Sequence, residues 1–353
     1  MPHPTLRFAR ITLRPLSGGP SAVPSLPAAP PPADANVTLE RWLDLWMSTI
    51  IEQDRADTTV GGYRNIIRNH LVPALGAVRL SCLSPALIDG YYHWLAEERS
   101  LSPNTIRKHH ILLHTALEAA FRQGAIAANP VQRATPPRPV CTAVHYYTPA
   151  QLSRLLEEVE DLPLELPVKL ACCLGLRRGE LLGLRWRDVD LQSGLIAVRR
   201  ARTTVGSRIV EKGPKTADSL RTLSIRTQDD LYGLLCRIRA RRVRDQLPCG
   251  PDDFLVLNRR AQPWHPNALS AALSSFAEDR QLPPITLHGL RHTFASVASS
   301  ARVPMYQISR AMGHSSPSVT QRIYTHLFDQ THGEVLAAVA DIVKAGSAPL
   351  TSA

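Results

Sequence analysis

The stretch GLIAVRRARTTVGSRIVEKGPKTADSLRTLSI (194–225) decides the fold class, because it holds the strand-like runs of an otherwise helical chain. Three runs stand out within it: GLIAVRRA (194–201), SRIVEK (207–212) and LRTLSI (220–225), punctuated by Gly206 and Gly213 as turns. Together they predict a small three-stranded antiparallel sheet. On either side the apolar pattern returns to helical spacing. Upstream, Thr148-Pro149 opens a helix in TPAQLSRLLEEVED, and further helices are expected at about 164–175 and 178–186. Downstream, helices are expected at 227–245, 266–280, 288–300, 304–312 and 316–327. A small sheet set among helices makes residues 148–330 an α+β domain that is mostly α.

Residues 37–128 read differently. Thr38 is placed as an N-cap before Leu39, Trp42, Leu43 and Trp46, which recur at helical spacing. Asp57, Ser84-Pro85 and Ser102-Pro103 then start helices near 57–72, 84–98 and 102–123. Strand-like alternation is absent, so this is a separate all-helical domain. A Pro-rich stretch, NPVQRATPPRPV (129–140), leads the expected linker 129–147. Residues 1–36 hold Arg7, Arg10 and Arg14 and then a Pro/Ala/Ser run, a composition that reads as a flexible tail. At the other end, GEVLAAVADIVKAG (333–346) puts Val335, Leu336, Val339, Ile342 and Val343 on one apolar stripe, so 331–353 is a C-terminal helix and tail.

Composition fits this division. A chain of 353 residues favours two domains. Its 44% apolar content excludes global disorder, and no apolar run reaches the roughly 18 residues of a membrane span. An apolar stretch of the secretory kind is also missing near the start, so a cytoplasmic protein is expected. None of the six cysteines forms a C-x-x-C pair, and Cys172-Cys173 sits in an apolar helical stretch; reduced thiols are expected, without a zinc site or a disulfide framework. The net charge is +11, and between Arg177 and Arg244 there are 17 Lys/Arg against 7 Asp/Glu. A cationic balance confined to one domain is the footprint of a polyanion binder, although RIRARRVRDQ (237–246) reads equally as a solvated helix face.

Four segments carry the chemistry: GLRRGELLGLRWRDVD (175–190), GPKTADSLRTLSI (213–225), HGLRHTFAS (288–296) and MGHSSPSVTQRIYTH (312–326). In this order and spacing they resemble the tyrosine recombinase, or phage integrase, family, and the resemblance extends over about 37–330. It implies a helical core-binding domain at 37–128 followed by a catalytic domain at 148–330. On the same resemblance Arg177, Lys215, His288, Arg291, His314 and Tyr324 are the catalytic residues. Tyr324 matches the nucleophile, which would attack the scissile phosphate to form a 3′-phosphotyrosyl link and release a 5′-hydroxyl. Arg177 and Arg291 match the two arginines that stabilise the phosphorane. Two permanently charged forks suit the charge gathering on its oxygens. Arg177 could instead be a surface cation beside Arg178, and the choice between the two rests on the Gly175-Leu176-Arg177 context. Lys215 matches the hairpin-borne general acid, with Lys212 as a nearby rival. His288 matches the histidine that contacts the phosphate and assists deprotonation of the tyrosine, and His314 the position that hydrogen-bonds a phosphate oxygen.

Glu180, three residues after Arg177, either orients that guanidinium or serves as a favourable charge in a helix first turn. His288 and His292 have H-x-x-x-H spacing, but Gly289 replaces the glutamate of a metalloprotease helix. His109, His110 and His114 have ligand-like spacing without an acidic or Cys partner, so no metal is assigned. The implied reaction needs no cofactor, because the phosphotyrosyl link conserves the free energy of the cleaved bond. Double-stranded DNA and three further copies of the chain, in a synaptic tetramer, are the implied partners. Accessory DNA-bending proteins stay open, and the resemblance favours passing the C-terminal helix to a neighbour in trans. Residues 1–36 are too short and Pro-rich for the β-rich domain with which many phage integrases begin. A type IB topoisomerase-like nicking-closing enzyme and a DNA-binding regulator without chemistry are the alternatives at this point.

Overall fold

The computed structural model describes residues 37–140, 145–213, 220–226 and 229–313. Contacts divide the chain into two compact units, the first holding residues 37–50 and 66–138 and the second 51–65 with 139 onward. Residues 51–65 thus group with the second unit, not with the rest of 37–128.

Helix α1 (Leu39–Trp46) opens the first unit. The Thr38 hydroxyl accepts from Arg41 N at its start, and Leu39, Trp42, Leu43 and Trp46 are its buried face. The Trp42 indole donates to the Ala116 carbonyl at 2.9 Å, giving the buried ring's polar edge its partner. A π-helical turn (Met47–Ile51) leads to α2 (Glu52–Asp54), α3 (Asp57–Ile66) follows, and a second π-helical turn (Ile67–Leu71) leads to α4 (Val72–Leu75). Asp57 begins α3 as its first residue instead of capping it. Ser84 caps α5 (Pro85–Glu97) and Ser102 caps α6 (Pro103–Arg122), each with proline at the first helical position. Of the His triplet, His109 pairs with the Tyr91 hydroxyl and His110 with that of Tyr92, both at 2.8 Å. The expected linker begins as part of this unit. Asn129 caps a 3₁₀ turn (Pro130–Arg133), and Val131 is fully buried, which an extended spacer would not achieve.

In the second unit α7 (Pro149–Glu158) starts on a reciprocal Thr148–Gln151 capping box. Then come α8 (Glu165–Leu174), α9 (Arg178–Gly183), α10 (Asp229–Arg244), α11 (Pro266–Asp279), α12 (Leu287–Ser300) and α13 (Met305–Met312). The expected three-stranded antiparallel sheet exists with different members. Strands β1 (Val189–Asp190), β2 (Leu195–Val198) and β5 (Arg221–Ser224) form it in the order β1-β2-β5. Strands β3 (Ala201–Val205) and β4 (Arg208–Lys212) make a separate hairpin. The run 194–201 is therefore two strands broken at Arg199-Arg200. There the backbone comes against α9: a Cβ on Gly183 would lie 2.9 Å from the Arg200 carbonyl oxygen. One core joins α8, α9, α10 and α12, with Leu170, Leu176, Leu181, Leu235 and Leu290 each completely buried. No described helix is long and apolar enough to cross a membrane.

Candidate active site

The site is assembled where α8 turns into α9. Gly175 ends α8 in the left-handed region, φ +62°, where a side chain is strained and a Cβ would meet the Phe294 ring at 2.7 Å. Leu176 is then buried, and Arg177 takes the extended N-cap position of α9. Glu180, at the third position of α9, reaches back to accept the Arg177 backbone N–H at 2.8 Å. That is the carboxylate half of a capping box.

Glu180 is buried and gathers cations. Its Oε1 accepts Arg177 Nη1 at 2.8 Å and Arg221 Nη1 at 3.1 Å, and its Oε2 accepts Arg221 Nη2 at 2.8 Å. Arg291 Nη1 stands 3.9 Å from Oε2. Burial alone would raise the Glu180 carboxyl. The hydrogen bonds and charges of Arg221 and Arg177 outweigh it and hold the group ionised, below the ordinary carboxylate range.

The same three arginines close the end of α13. Arg221 Nε donates to the Ala311 carbonyl at 2.7 Å, Arg291 Nη2 to Met312 at 2.8 Å, and Arg177 Nη2 to Gly313 at 2.8 Å. Cations on the last carbonyls of a helix are favoured by its dipole. Arg291 also donates to the Gly175 carbonyl at 2.5 Å, which ties α12 to the α8–α9 turn. Gly313 has φ +66°, and a Cβ there would lie 2.7 Å from Arg221 Nη1. Gly313→Ala is therefore expected to cost about 1–2 kcal/mol in backbone strain alone and to dislodge Arg221. Thermal unfolding should show a midpoint lowered by a few degrees, whereas an unchanged midpoint would mean that this left-handed turn is not held in solution.

Of the expected site residues, Arg177, His288, Arg291 and Glu180 lie in the described part and are brought together here. Lys215, His314 and Tyr324 lie outside the described residues, as do the expected helices at 316–327 and 333–346. His288 lies in the first turn of α12, which Thr286 caps through Gly289 N at 3.0 Å, and Arg291 follows three residues on. Their exposures differ: Arg291 is fully buried, whereas the Arg177 side chain is 40% accessible and His288 is exposed. An incoming anion would thus meet Arg177 and His288 first, with Arg291 beneath them. Desolvation, then the Arg291 and Arg177 charges, lower the His288 pKa and favour its neutral form. Arg178 turns away and donates to Ser270 of α11 at 2.9 Å, so Arg177 is the member of the pair that joins the site. Lys212, on β4, is paired with Asp57 at 3.0 Å.

His292 packs edge-on against His288 with ring centroids 4.5 Å apart. Its pKa is pushed down to about 4, first by burial and then by the nearby His288 and Arg291. The unfolded chain takes up this proton near 6.5 and the folded chain near 4, so the stability tied to neutral His292 is whole above 6.5. It is lost as pH falls from there towards 4. His109 in the first unit, also near 4 through burial, acts with the same sign. Denaturant midpoints should decline across this window, and His292→Asn should flatten the part due to the second unit. A wild-type profile without that decline would overturn the assignment.

Sequence reasoning missed Arg221, and it overcounted the displayed charge. Arg242 is buried and donates to the carbonyls of Phe254 at 2.9 Å and Leu255 at 2.7 Å. Arg202 donates to the Trp264 carbonyl at 2.6 Å. Arg185 lies over the Phe254 ring and pairs with Glu211 at 3.0 Å. Several cations of the basic segment are therefore internal braces.

The sequence model of the phage integrase family matches residues 145–331, and that of the phage integrase SAM-like domain matches 43–136. A XerC-like tyrosine recombinase of Caldanaerobacter subterraneus subsp. tengcongensis is 26% identical over 333 residues, covering 87% of this chain and 84% of its own. The integrase of Mycobacterium phage L5 is 25% identical, covering 82% and 76%. Among solved structures, the Tn1549 transposon integrase in complex with a circular intermediate DNA superposes with a TM-score of 0.71 at 19% identity, over 84% of this chain and 99% of that one. A lambda integrase tetramer bound to a Holliday junction gives 0.62 at 18% identity, over 82% and 78%.

Proposed function

The chain belongs to the phage integrase family, and on that premise we propose that it is a site-specific DNA recombinase that cuts and rejoins duplex DNA through a 3′-phosphotyrosyl intermediate. The observation that carries this reading is the convergence of Arg177, Arg291 and His288 around the α8–α9 turn and the N-terminal end of α12, with Arg177 set by Glu180. Two fixed guanidinium forks beside a neutral histidine suit a phosphodiester that gains negative charge as it is attacked. In this reading Tyr324 is the nucleophile, and its phenol needs a cationic pocket to act as an oxyanion. Lys215 protonates the departing 5′-oxygen, and His314 hydrogen-bonds the phosphate. Glu180 positions Arg177. A 5′-hydroxyl from the partner duplex then attacks the phosphotyrosine and restores Tyr324. The relatives named above are recombinases and integrases, which does not favour the nicking-closing or regulator alternatives.

Four copies of this chain on two duplexes form the working assembly in this proposal, by analogy with the lambda integrase tetramer on its junction. We place its action in the cytoplasm. The test is a nicked duplex cut from DNA flanking the reading frame, in which cleavage releases a short fragment and traps the intermediate. A denaturant-resistant protein–DNA adduct is expected, and failure to form one on any flanking repeat would remove the recombinase reading. Affinity for the same duplex should fall by about 10³-fold or more between roughly 50 and 200 mM salt, because phosphate contacts release counterions. A flat salt response would contradict phosphate-dominated binding.

A further inference from the structure

Arg221 opens β5 opposite Val198 of β2, and its side chain is 8% accessible although it carries a full charge. It spends that charge on two elements at once. Its two Nη groups grip both oxygens of Glu180, at 3.1 and 2.8 Å, and its Nε donates to the Ala311 carbonyl at 2.7 Å. Glu180 accepts two further hydrogen bonds, both from Arg177. A carboxylate offers about four lone-pair sites, so Arg177 and Arg221 divide it between them. Each fixes the other's share.

We propose that Arg221 is a positioning residue of the strand-transfer reaction, holding Glu180 in the setting that aims Arg177 and pinning the last turn of α13 to the same carboxylate. The inference rests on the recombinase reading above. Its physical content is a competition. With Arg221 in place, Glu180 is half neutralised from the β5 side and Arg177 shares its fork between Glu180 and the Gly313 carbonyl, with 40% of its side chain open. Without Arg221, an under-compensated buried carboxylate draws Arg177 inward and away from an incoming phosphate. The end of α13 loses its Ala311 contact in the same step, and the chain runs from that end into His314 and onward to Tyr324. Lysine cannot replace the fork, since one ammonium cannot span two carboxylate oxygens and a carbonyl in a fixed plane.

The test uses full-length wild type, Arg221→Lys, Arg221→Gln, Glu180→Gln and the Arg221→Gln/Glu180→Gln pair on one nicked duplex that traps the wild type. Arg221→Lys keeps the cation beside Glu180, so it should keep its thermal midpoint and DNA affinity. Its single-turnover adduct rate should nonetheless fall by about 10–100-fold, the size of loss that follows removal of the partners that orient metal ligands. Arg221→Gln should be slower still. The double variant should be no slower than the slower single variant, because both changes break one device. On a duplex whose scissile phosphate is an uncharged methylphosphonate, the Arg221→Lys defect should shrink, since the charge that Arg177 meets is gone. Arg221→Lys at the wild-type rate, or single defects that multiply in the double variant, would overturn the proposal while leaving the recombinase reading intact. If the wild type itself forms no adduct, that reading falls and this inference falls with it.

Discussion

Tyr324→Phe is expected to form no covalent adduct with the nicked duplex and to bind that duplex as the wild type does. The substitution removes one oxygen and leaves the ring and every cation of the chain, so affinity for the duplex should be kept. On the proposed mechanism what is lost is the atom that attacks phosphorus, and a phenyl ring offers no substitute. Because cleavage precedes every later step, strand exchange should be absent as well. The measurement is a denaturing gel of protein with labelled duplex, beside a binding titration on the same batch. An adduct formed by Tyr324→Phe would move the nucleophile elsewhere, with Tyr306 and the Tyr146-Tyr147 pair next in line. Of these, Tyr147 is buried with its hydroxyl donating to the Pro283 carbonyl at 2.5 Å, which makes it a poor candidate.

Arg177→Lys should lose about 10²–10³ in adduct rate, the cost of removing one preorganised donor, although the charge is kept. Arg177 simultaneously donates to Glu180 and to the Gly313 carbonyl through different nitrogens of one plane, with its accessible side left for a ligand. A lysine ammonium would collapse onto Glu180 as a point charge and leave Gly313 without that donor. Arg178→Lys is the control. Its contact is a neutral one with Ser270, so its rate should stay near that of the wild type. Equal losses in the two variants would mean that general surface charge, not the placed fork, supports the reaction.

The helices were legible in the sequence because their starts are written in side chains. Thr38, Ser84, Ser102, Thr148 and Thr286 all accept from a backbone N–H of the first turn. The sheet was half legible. No glycine or proline marks an end within Val198-Arg199-Arg200-Ala201, and the break coincides with the approach of Gly183 from α9, a contact the local sequence does not announce. Strand β1 has two residues, too few to show a period. At the site, the motifs named Arg177, His288 and Arg291 but not their depth. That Arg291 lies fully buried follows from two backbone carbonyls on α8 and α13, and no local pattern encodes them. A signal for Arg221 was present. It alternates with Leu223 and Ile225, so a cation stands on the inward face of a strand and must find a buried anion. The basic segment misled because charge counting cannot tell a displayed arginine from one, such as Arg242, whose donors end on carbonyls inside the fold.

The gathering of Arg177, Arg221 and Arg291 on one carboxylate sets an electrical balance for the pocket. Three guanidinium charges against ionised Glu180 leave a surplus of two among the described residues, and His288, held towards its neutral form, adds little to it. A resting phosphodiester carries a single negative charge and leaves that surplus half unmet. On the proposed mechanism a phenolate oxygen joins the phosphorus, the five-coordinate species carries two, and the surplus of these described residues is met, with Lys215 as a further cation outside them. In that reading the arginine cluster is matched better to the summit of the reaction than to its start, and it would grip the activated phosphorus harder than the intact strand.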